Sequence, residues 1–409
     1  MMTETQTEIA IVGGGPTGAA LALALAQSDV EVALIEARDP AAPPRADTRN
    51  FAIVTGSWRL LQAIGIAPAL SGKTEPLHGL EAVDGGTHWF GAPSVLFGDE
   101  DLDDQGEDET LGQMVQAADL QAAIDEAIAG ETRITTIAPA FFERADTRPG
   151  GIDIWLDGDR KVSARLLIGA DGLNSPVREA AGIATEGRDY GKSVFAANVT
   201  LSRPHGGIAR QLFTPEGPFA TLPLPGDRAN LAWYMKRGAA EALAKLSPEE
   251  VEAELNHRFA GFAGEMKIDG PMGSYPLILR MAVRMIAERT ALVGDAARRM
   301  NPLAGQGLNQ GFRDVAALHE AIVSGDRAGL DIGSQQVLRD YEASRRFGAS
   351  AAALGMDAVD RLFSNDLAWT KPVRGLGLMA ASAVAPLRQR LAGFASAASP
   401  DLPPLMQRR

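Results

Sequence analysis

The chain has no cysteine among its 409 residues, so disulfides, thiolate metal sites and cysteine nucleophiles are all excluded. Histidine is scarce: His78, His88, His205, His257 and His319 are scattered, and no pair has a metal-ligand spacing such as i, i+4. Basic residues are outnumbered, 39 Lys and Arg against 52 Asp and Glu, for a formal charge of −13. That balance disfavours nonspecific nucleic-acid binding. No apolar run reaches the roughly 18 residues needed to span a bilayer. No basic n-region precedes the first strand-like run at Ile9, so no secretory signal is expected and the chain reads as cytoplasmic.

What the chain does carry is glycine in three telling places: Gly13-Gly14-Gly15-Pro16-Thr17-Gly18, Asp171-Gly172, and Gly294-Asp295 with Pro302 to Asn309. Ile9-Ala10-Ile11-Val12 is an apolar run of the kind a buried parallel strand requires. Glycines follow at once, and then Ala19 to Ala26 reads as a helix. In a G-x-G-x-x-G turn, Gly13 allows the bend, Gly15 lets backbone approach a pyrophosphate and Gly18 lets helix and strand pack closely. The helix N-terminus supplies N–H donors and a positive dipole end. A second strand, Val30 to Ile35, ends at Glu36, eighteen residues after Gly18. An acid there accepts hydrogen bonds from a ribose 2′-hydroxyl and repels a 2′-phosphate, favouring an adenosine other than that of NADP.

The hydrophobic fraction of 45% and charged fraction of 22% are ordinary for a globular protein, and the length predicts two or three lobes. After a loop containing Arg38, Pro40, Pro43, Pro44 and Arg45, residues 50–64 show helical periodicity ending at Gly65. Short strand-like pieces occupy 77–97. Residues 99–109 are acidic without any Lys or Arg. Aligning Gly106 with the glycine of an EF-hand loop puts Gly112 where a bidentate glutamate belongs, so this stretch reads as a solvated loop. Asp119 to Ala129 reads as a helix and Arg165 to Gly169 as a buried strand. Residues 194–235 alternate short strands with Pro and Gly turns, the pattern of an antiparallel sheet and a separate substrate-side lobe. Ser247-Pro248-Glu249-Glu250 predicts a capping box with proline at the first helical position. From Asp314 onward the sequence is mainly helical.

These segments together resemble the class A FAD-dependent aromatic monooxygenases built like p-hydroxybenzoate hydroxylase, and within them the ubiquinone-biosynthesis hydroxylase family. Asp171-Gly172-Leu173-Asn174-Ser175-Pro176-Val177-Arg178 matches the middle motif D-G-x-x-S-x-x-R. Ala291 to Ala297 and Pro302 to Asn309 match the third motif and its continuation. Asp47-Thr48-Arg49 has the family's spacing, and Leu362 to Asp366 with Arg374 to Leu378 resembles the ubiquinone branch's C-terminal signature. The resemblance implies a mixed α/β (α+β) fold. A discontinuous Rossmann-like FAD-binding domain would comprise 1–75, 110–190 and 272–325, an antiparallel substrate-side sheet 76–109 and 191–271, and a helical C-terminal region 326–409.

The resemblance also assigns roles. Gly13, Gly15, Gly18, Glu36 and Arg38 belong to the adenosine-pyrophosphate end. Arg49 resembles the arginine reaching the pyrophosphate and ring edge, its alternative being an ordinary surface arginine. Gln113 resembles a glutamine touching the ribityl chain. Asp171 and Arg178 either hold the middle loop or border a nicotinamide path. Asp295 is expected to accept a hydrogen bond from a ribityl hydroxyl. Pro302, Gly305, Gly307, Leu308 and Asn309 are expected at the isoalloxazine ring, where backbone N–H groups and a helix dipole stabilise charge on the reduced ring. Arg298 stands where the ubiquinone branch usually has histidine, as does Asn301. It is expected beside the ring, holding an anionic group or a flavin anion, or else pointing outward.

The implied reaction hydroxylates the ring of a polyprenylated phenol with NAD(P)H and O₂ through a flavin C4a-hydroperoxide. The donor binds transiently, because only one dinucleotide fingerprint is present. No catalytic acid or base, and no metal, is assigned. A membrane surface, other ubiquinone-biosynthesis proteins and a second copy are candidate partners. The tail from Lys371 to Met406 either docks on its own core or meets a membrane surface or a partner enzyme. Two other readings stay open: a different flavin oxidoreductase acting on another aromatic or isoprenoid substrate, and a flavin-binding scaffold in a biosynthetic assembly.

Overall fold

A computed structural model describes residues 3–42, 49–85, 94–101, 110–299, 306–345 and 402–408. Among the described residues the strands form four sheets, giving the mixed α/β architecture that the sequence implies. The central sheet runs Ile286–Ala287, Thr290–Leu292, Leu166–Gly169, Ile9–Val12, Val32–Ile35, Ile134–Ile137. All neighbours are parallel except the first pair. Its four inner strands are buried on both faces, which is why they read as apolar runs rather than alternating ones, while the edge strand Ile134–Ile137 exposes Thr135 and Thr136. The helix Pro16–Ala26 is buried along its length from Gly18 to Ala26, as a helix apolar all round must be. A second sheet of Thr3–Gln6, Arg160–Ala164, Gly151–Leu156 and Phe142–Arg148 shares its core through Ile152, Ile154 and Val162. The sequence reading did not foresee Thr3–Gln6, a polar strand held by parallel pairing to residues 160–163.

Residues 50–64 are not one helix. Asn50–Val54 is a strand antiparallel to Gly112–Gln116, and the helix begins only at Thr55. The reason is tertiary: Asn309 bonds the backbone of Ala52 and Val54, and strand pairing overrides a short helical period. Of the acidic stretch only Asp99, Glu100 and Asp101 are described, residues 102–109 lying outside the described residues. Asp101 is buried, and its carboxylate accepts the Gly98 N–H at 3.1 Å. Asp99 takes the Leu111 N–H and pairs with His78.

The fourth sheet is large and mostly antiparallel: Arg298–Arg299, Met266–Ala282, Thr185–Leu201, Arg228–Lys236, Phe219–Leu224, Ile208–Phe213, Gly79–Asp84, Ser94–Gly98. One face packs on the helix Pro248–Ala263 through Phe195, Phe219, Trp233 and Phe259, with the Phe219 and Phe259 rings stacked at 3.8 Å. That helix opens with the capping box expected at Ser247 and Glu250. The other face meets the three-stranded sheet of residues 50–54, 112–116 and 74–77, with Leu222 and Leu224 against Ala52 and Met114. Two strands, Thr185–Leu201 and Met266–Ala282, run from this sheet back to the glycine segments. Of the tail, only its end is described: Leu402 and Met406 are buried in the main core. Residues 371–401 lie outside the described residues.

Candidate functional site

Three neighbouring strands of the central sheet run in the same direction, so their C-terminal ends open at one edge. Ile9–Val12 leads to Gly13, Leu166–Gly169 to Asp171, and Thr290–Leu292 to Gly294. The three segments, widely separated in sequence, therefore lie side by side where open α/β sheets bind ligands. Contact is direct. Gly13 has φ +109°, and a β-carbon there would fall 2.4 Å from the Ala170 carbonyl oxygen. One on Gly18 would lie 2.0 Å from the Gly13 oxygen. Gly15 is different: nothing stands within 4 Å of its added β-carbon, so this backbone is open to a ligand. The helix beginning at Pro16 has no side-chain cap, leaving its first N–H groups for an anion.

At the adenosine end Glu36 is fixed through both oxygens, accepting the Gly14 N–H at 2.5 Å and the Arg38 N–H at 2.6 Å. Each oxygen keeps a second lone pair for a hydroxyl. The Arg38 guanidinium is engaged by both oxygens of Asp125, at 2.7 and 2.8 Å. Asp125 also takes Gln121, whose amide reaches the Gly14 carbonyl at 3.4 Å. Gln121 and Asp125 were missed by sequence reading, although their i, i+4 spacing on one helix was a usable signal.

The middle segment is self-supporting. Asp171 accepts the Val177 N–H at 3.0 Å, while its other oxygen is buried without a hydrogen-bond partner. Burial pushes its carboxyl above the usual range. Ser175 caps the helix Pro176–Ala180 through the Arg178 N–H. The buried Arg178 guanidinium donates to the carbonyls of Leu173 and Ala296, at 3.0 and 2.9 Å. It thereby ties the second segment to the third.

In the third segment Gly294 takes φ +61° and its N–H donates to Asp314 at 3.1 Å. Asp295 lies in a groove: burial pushes its carboxyl up, against the charges of Arg299 and Arg49, yet its side chain stays 42% exposed. Protein surrounds it and one side remains open. Arg49, stacked over Phe51 at 5.6 Å, is thus brought to Asp295 from a distant part of the sequence. Gln113 pairs across strands with Ile53, and its Oε1 is buried with no partner. A buried acceptor without a donor marks a place for a hydroxyl from elsewhere. Gly307, Leu308 and Asn309 form the first turn of the helix Gln306–Arg327. The Asn309 side chain holds the Val54 N–H at 3.1 Å and the Ala52 carbonyl at 2.8 Å. Pro302, Gly305 and Asn301 lie outside the described residues.

Arg298 does not point outward. Its side chain is only 3% exposed and turns inward, donating to Asp314 Oδ1 at 2.9 Å and to Met285 Sδ. Asp314, fully buried, also accepts from Arg345 at 2.7 Å. A carboxylate this deep demands cationic partners, and that demand sets the direction of Arg298. The signal was an aspartate on the helix face that carries Phe312, Val315 and Leu318, all buried.

The chain matches a family model described as FAD binding domain over residues 6–353. It is 39% identical to ubiquinone hydroxylase UbiL of Rhodospirillum rubrum over 93% of this chain and 87% of that protein. The chain belongs to the ubiquinone hydroxylases of this FAD-binding family. Another member of the family, 3-demethoxyubiquinol 3-hydroxylase of Escherichia coli, is 35% identical over 96% of this chain and 99% of its own length. The fold is that of p-nitrophenol 4-monooxygenase PnpA from Pseudomonas putida, with TM-score 0.78 and 18% identity over the full length of both chains. Like the family, this chain is an FAD-dependent monooxygenase. The open backbone at Gly15, the partnerless Gln113 oxygen and the groove at Asp295 suit a long, hydroxyl-rich dinucleotide.

Proposed function

We propose that this enzyme hydroxylates the ring of a polyprenylated phenol in ubiquinone biosynthesis, taking electrons from NAD(P)H and oxygen from O₂. The observation that carries the reading is the meeting of the three glycine segments at one sheet edge, opposite a large antiparallel sheet. The relatives named as ubiquinone and demethoxyubiquinol hydroxylases supply the substrate class. Gly13, Gly15, Gly18, Glu36 and Arg38 would hold the adenosine and pyrophosphate. Gln113 and Asp295 would hold the ribityl chain, Arg49 would reach the pyrophosphate and the ring edge, and Asp171 would hold the middle loop or border the path of the nicotinamide. Leu308 and Asn309 would offer backbone N–H groups to the ring, with Pro302, Gly305 and Gly307 completing that edge. FAD, when bound, supplies the oxygen-activating chemistry. The chain's own part is to orient the two rings, exclude water and offer fixed donors.

The division into a discontinuous cofactor domain, a substrate-side domain at 76–109 and 191–271, and a C-terminal region is part of this proposal. The packing of Leu222 and Leu224 on Ala52 and Met114 supports it by placing the large sheet against the cofactor side. So is a cytoplasmic enzyme that visits a membrane surface, other enzymes of the pathway or a second copy, since a polyprenylated phenol is insoluble in water. No helix among the described residues is long and apolar enough to cross a membrane.

The test is to supply the FAD-loaded enzyme with NADH or NADPH, O₂ and a polyprenylated phenol, and to analyse products by mass spectrometry. A product heavier by one oxygen atom is expected. Consumption of the nicotinamide with no hydroxylated product across a panel of such phenols would sink the proposal. Asp295→Ala should bind FAD about ten- to a hundredfold more weakly, the worth of one charge-assisted hydrogen bond at roughly 1.5–3 kcal/mol.

A further inference from the structure

Behind the Gly294–Asp295 turn, positive charge outweighs negative among the described residues. Asp314 has no exposed surface. One of its oxygens receives both Arg298, at 2.9 Å, and Arg345, at 2.7 Å; the other receives the Gly294 N–H at 3.1 Å. Arg345 also donates to Gln310 at 2.9 Å. The half-buried Arg313 adds a third guanidinium, pushed down by burial and by the charge of Arg345. Of the described carboxylates nearby, Glu342 accepts the Met285 N–H and Asp295 pairs with Arg299. Arg298 is left with Nη1 buried and without a hydrogen-bond partner, on a side chain only 3% exposed.

Packing alone does not account for this arrangement. Buried ionic clusters commonly give way to apolar residues at no cost in stability, and one guanidinium would suffice to neutralise Asp314. The surplus lies beside the turn that carries Asp295, and Asp314 follows Leu308 and Asn309 by about one and a half turns of the helix. Reduction of a flavin by hydride adds two electrons and one proton, leaving one negative charge on the ring system. A fixed positive charge behind the site acts on that change and leaves the neutral oxidised ring largely unaffected.

We propose that Arg298 is a positioning residue whose charge, shared with Arg345 over the single carboxylate of Asp314, makes the site bind reduced, anionic flavin more tightly than oxidised flavin. This rests on the FAD site proposed above. Arginine suits the role because it stays charged at every working pH, whereas a histidine there would not.

The test compares Arg298→Met, which removes the charge and keeps the length, with Arg298→Lys, which keeps the charge. Two quantities are read on FAD-loaded protein: the dissociation constant of oxidised FAD and the flavin midpoint potential. In Arg298→Met the oxidised affinity should stay within a few-fold. The preference for reduced over oxidised flavin should fall about tenfold, which for a two-electron couple lowers the potential by about 30 mV. Arg298→Lys should keep the wild-type potential. Arg298→Gln, which retains a donor toward Asp314, carries the same reading if the methionine variant fails to fold. An unmoved potential in the uncharged variants, or an equal shift in Arg298→Lys, would overturn the inference while FAD binding stands. Failure of the wild-type protein to bind FAD would overturn the site itself and this inference with it.

Discussion

The hydroxyl of Thr17 lies 2.7 Å from where a β-carbon on Gly311 would sit, and its methyl lies 3.1 Å from the corresponding point on Gly294. Thr17 belongs to the first glycine segment, Gly294 to the third, and Gly311 to the long helix. One threonine thus fills the space that both glycines leave, and it sets how closely the segments approach.

Gly311→Ala should accordingly overpack this contact. Inserting a methyl into a packed core costs about 1–3 kcal/mol, and the β-branched Thr17 has little rotameric room to yield. Urea denaturation should show that loss in Gly311→Ala and much of it recovered in Gly311→Ala/Thr17→Ala. Strict additivity of the two changes would show that the residues do not touch.

Asp295 gives a pH signature in the FAD-free protein. Burial raises its folded pKa above the ordinary 3.8, so the folded chain holds that proton more tightly than the unfolded chain. As pH climbs above the ordinary value, ionising Asp295 costs stability, and the cost levels off once pH passes the raised value. Asp295→Asn does not titrate. Its melting temperature should therefore rise relative to wild type on going from about pH 4 upward. A constant difference at every pH would mean that Asp295 is solvated like a surface carboxylate.

His319 carries the opposite sign. It faces Ser28 at 2.8 Å, and burial lowers its pKa from 6.5 to about 4. The folded state keeps it neutral, so its contribution is complete above pH 6.5 and is lost as pH falls toward 4. His319→Gln should remove this part of the acid sensitivity, on the order of 3 kcal/mol across the window at about 1.4 kcal/mol per unit. Parallel stability profiles for the two proteins between pH 7 and 4 would contradict the assignment.

Met406 anchors the chain's last described segment in the main core, with no exposed surface. Met406→Ala should destabilise the protein by about 2–5 kcal/mol, the range for emptying a buried methionine site. Chemical denaturation gives the number, and a change below about 0.5 kcal/mol would show that this segment is held loosely. Its docking answers one part of the tail question: residues 402–406 rest on their own core.

Sequence alone determined the strands Ile9–Val12, Leu166–Gly169 and Thr290–Leu292, the glycine turns and the capping box at Ser247, because each follows from local rules. An apolar run buried on both faces, a backbone with positive φ and an end of a helix needing donors all leave their mark within a few residues. The family, the cofactor and the mixed α/β fold were legible for the same reason, since their motifs are contiguous. Only the tertiary structure decided the rest. Asn50–Val54 became a strand because its partners lie at 112–116 and 309. Arg49 and Asp295 became neighbours, and Thr17 became the wedge between two glycines. Arg298 turned inward because Asp314, sixteen residues on, could not be buried without counter-charge. Pairing, close packing and the neutralisation of buried charge all depend on groups distant in sequence, and no local pattern specifies which distant group will arrive.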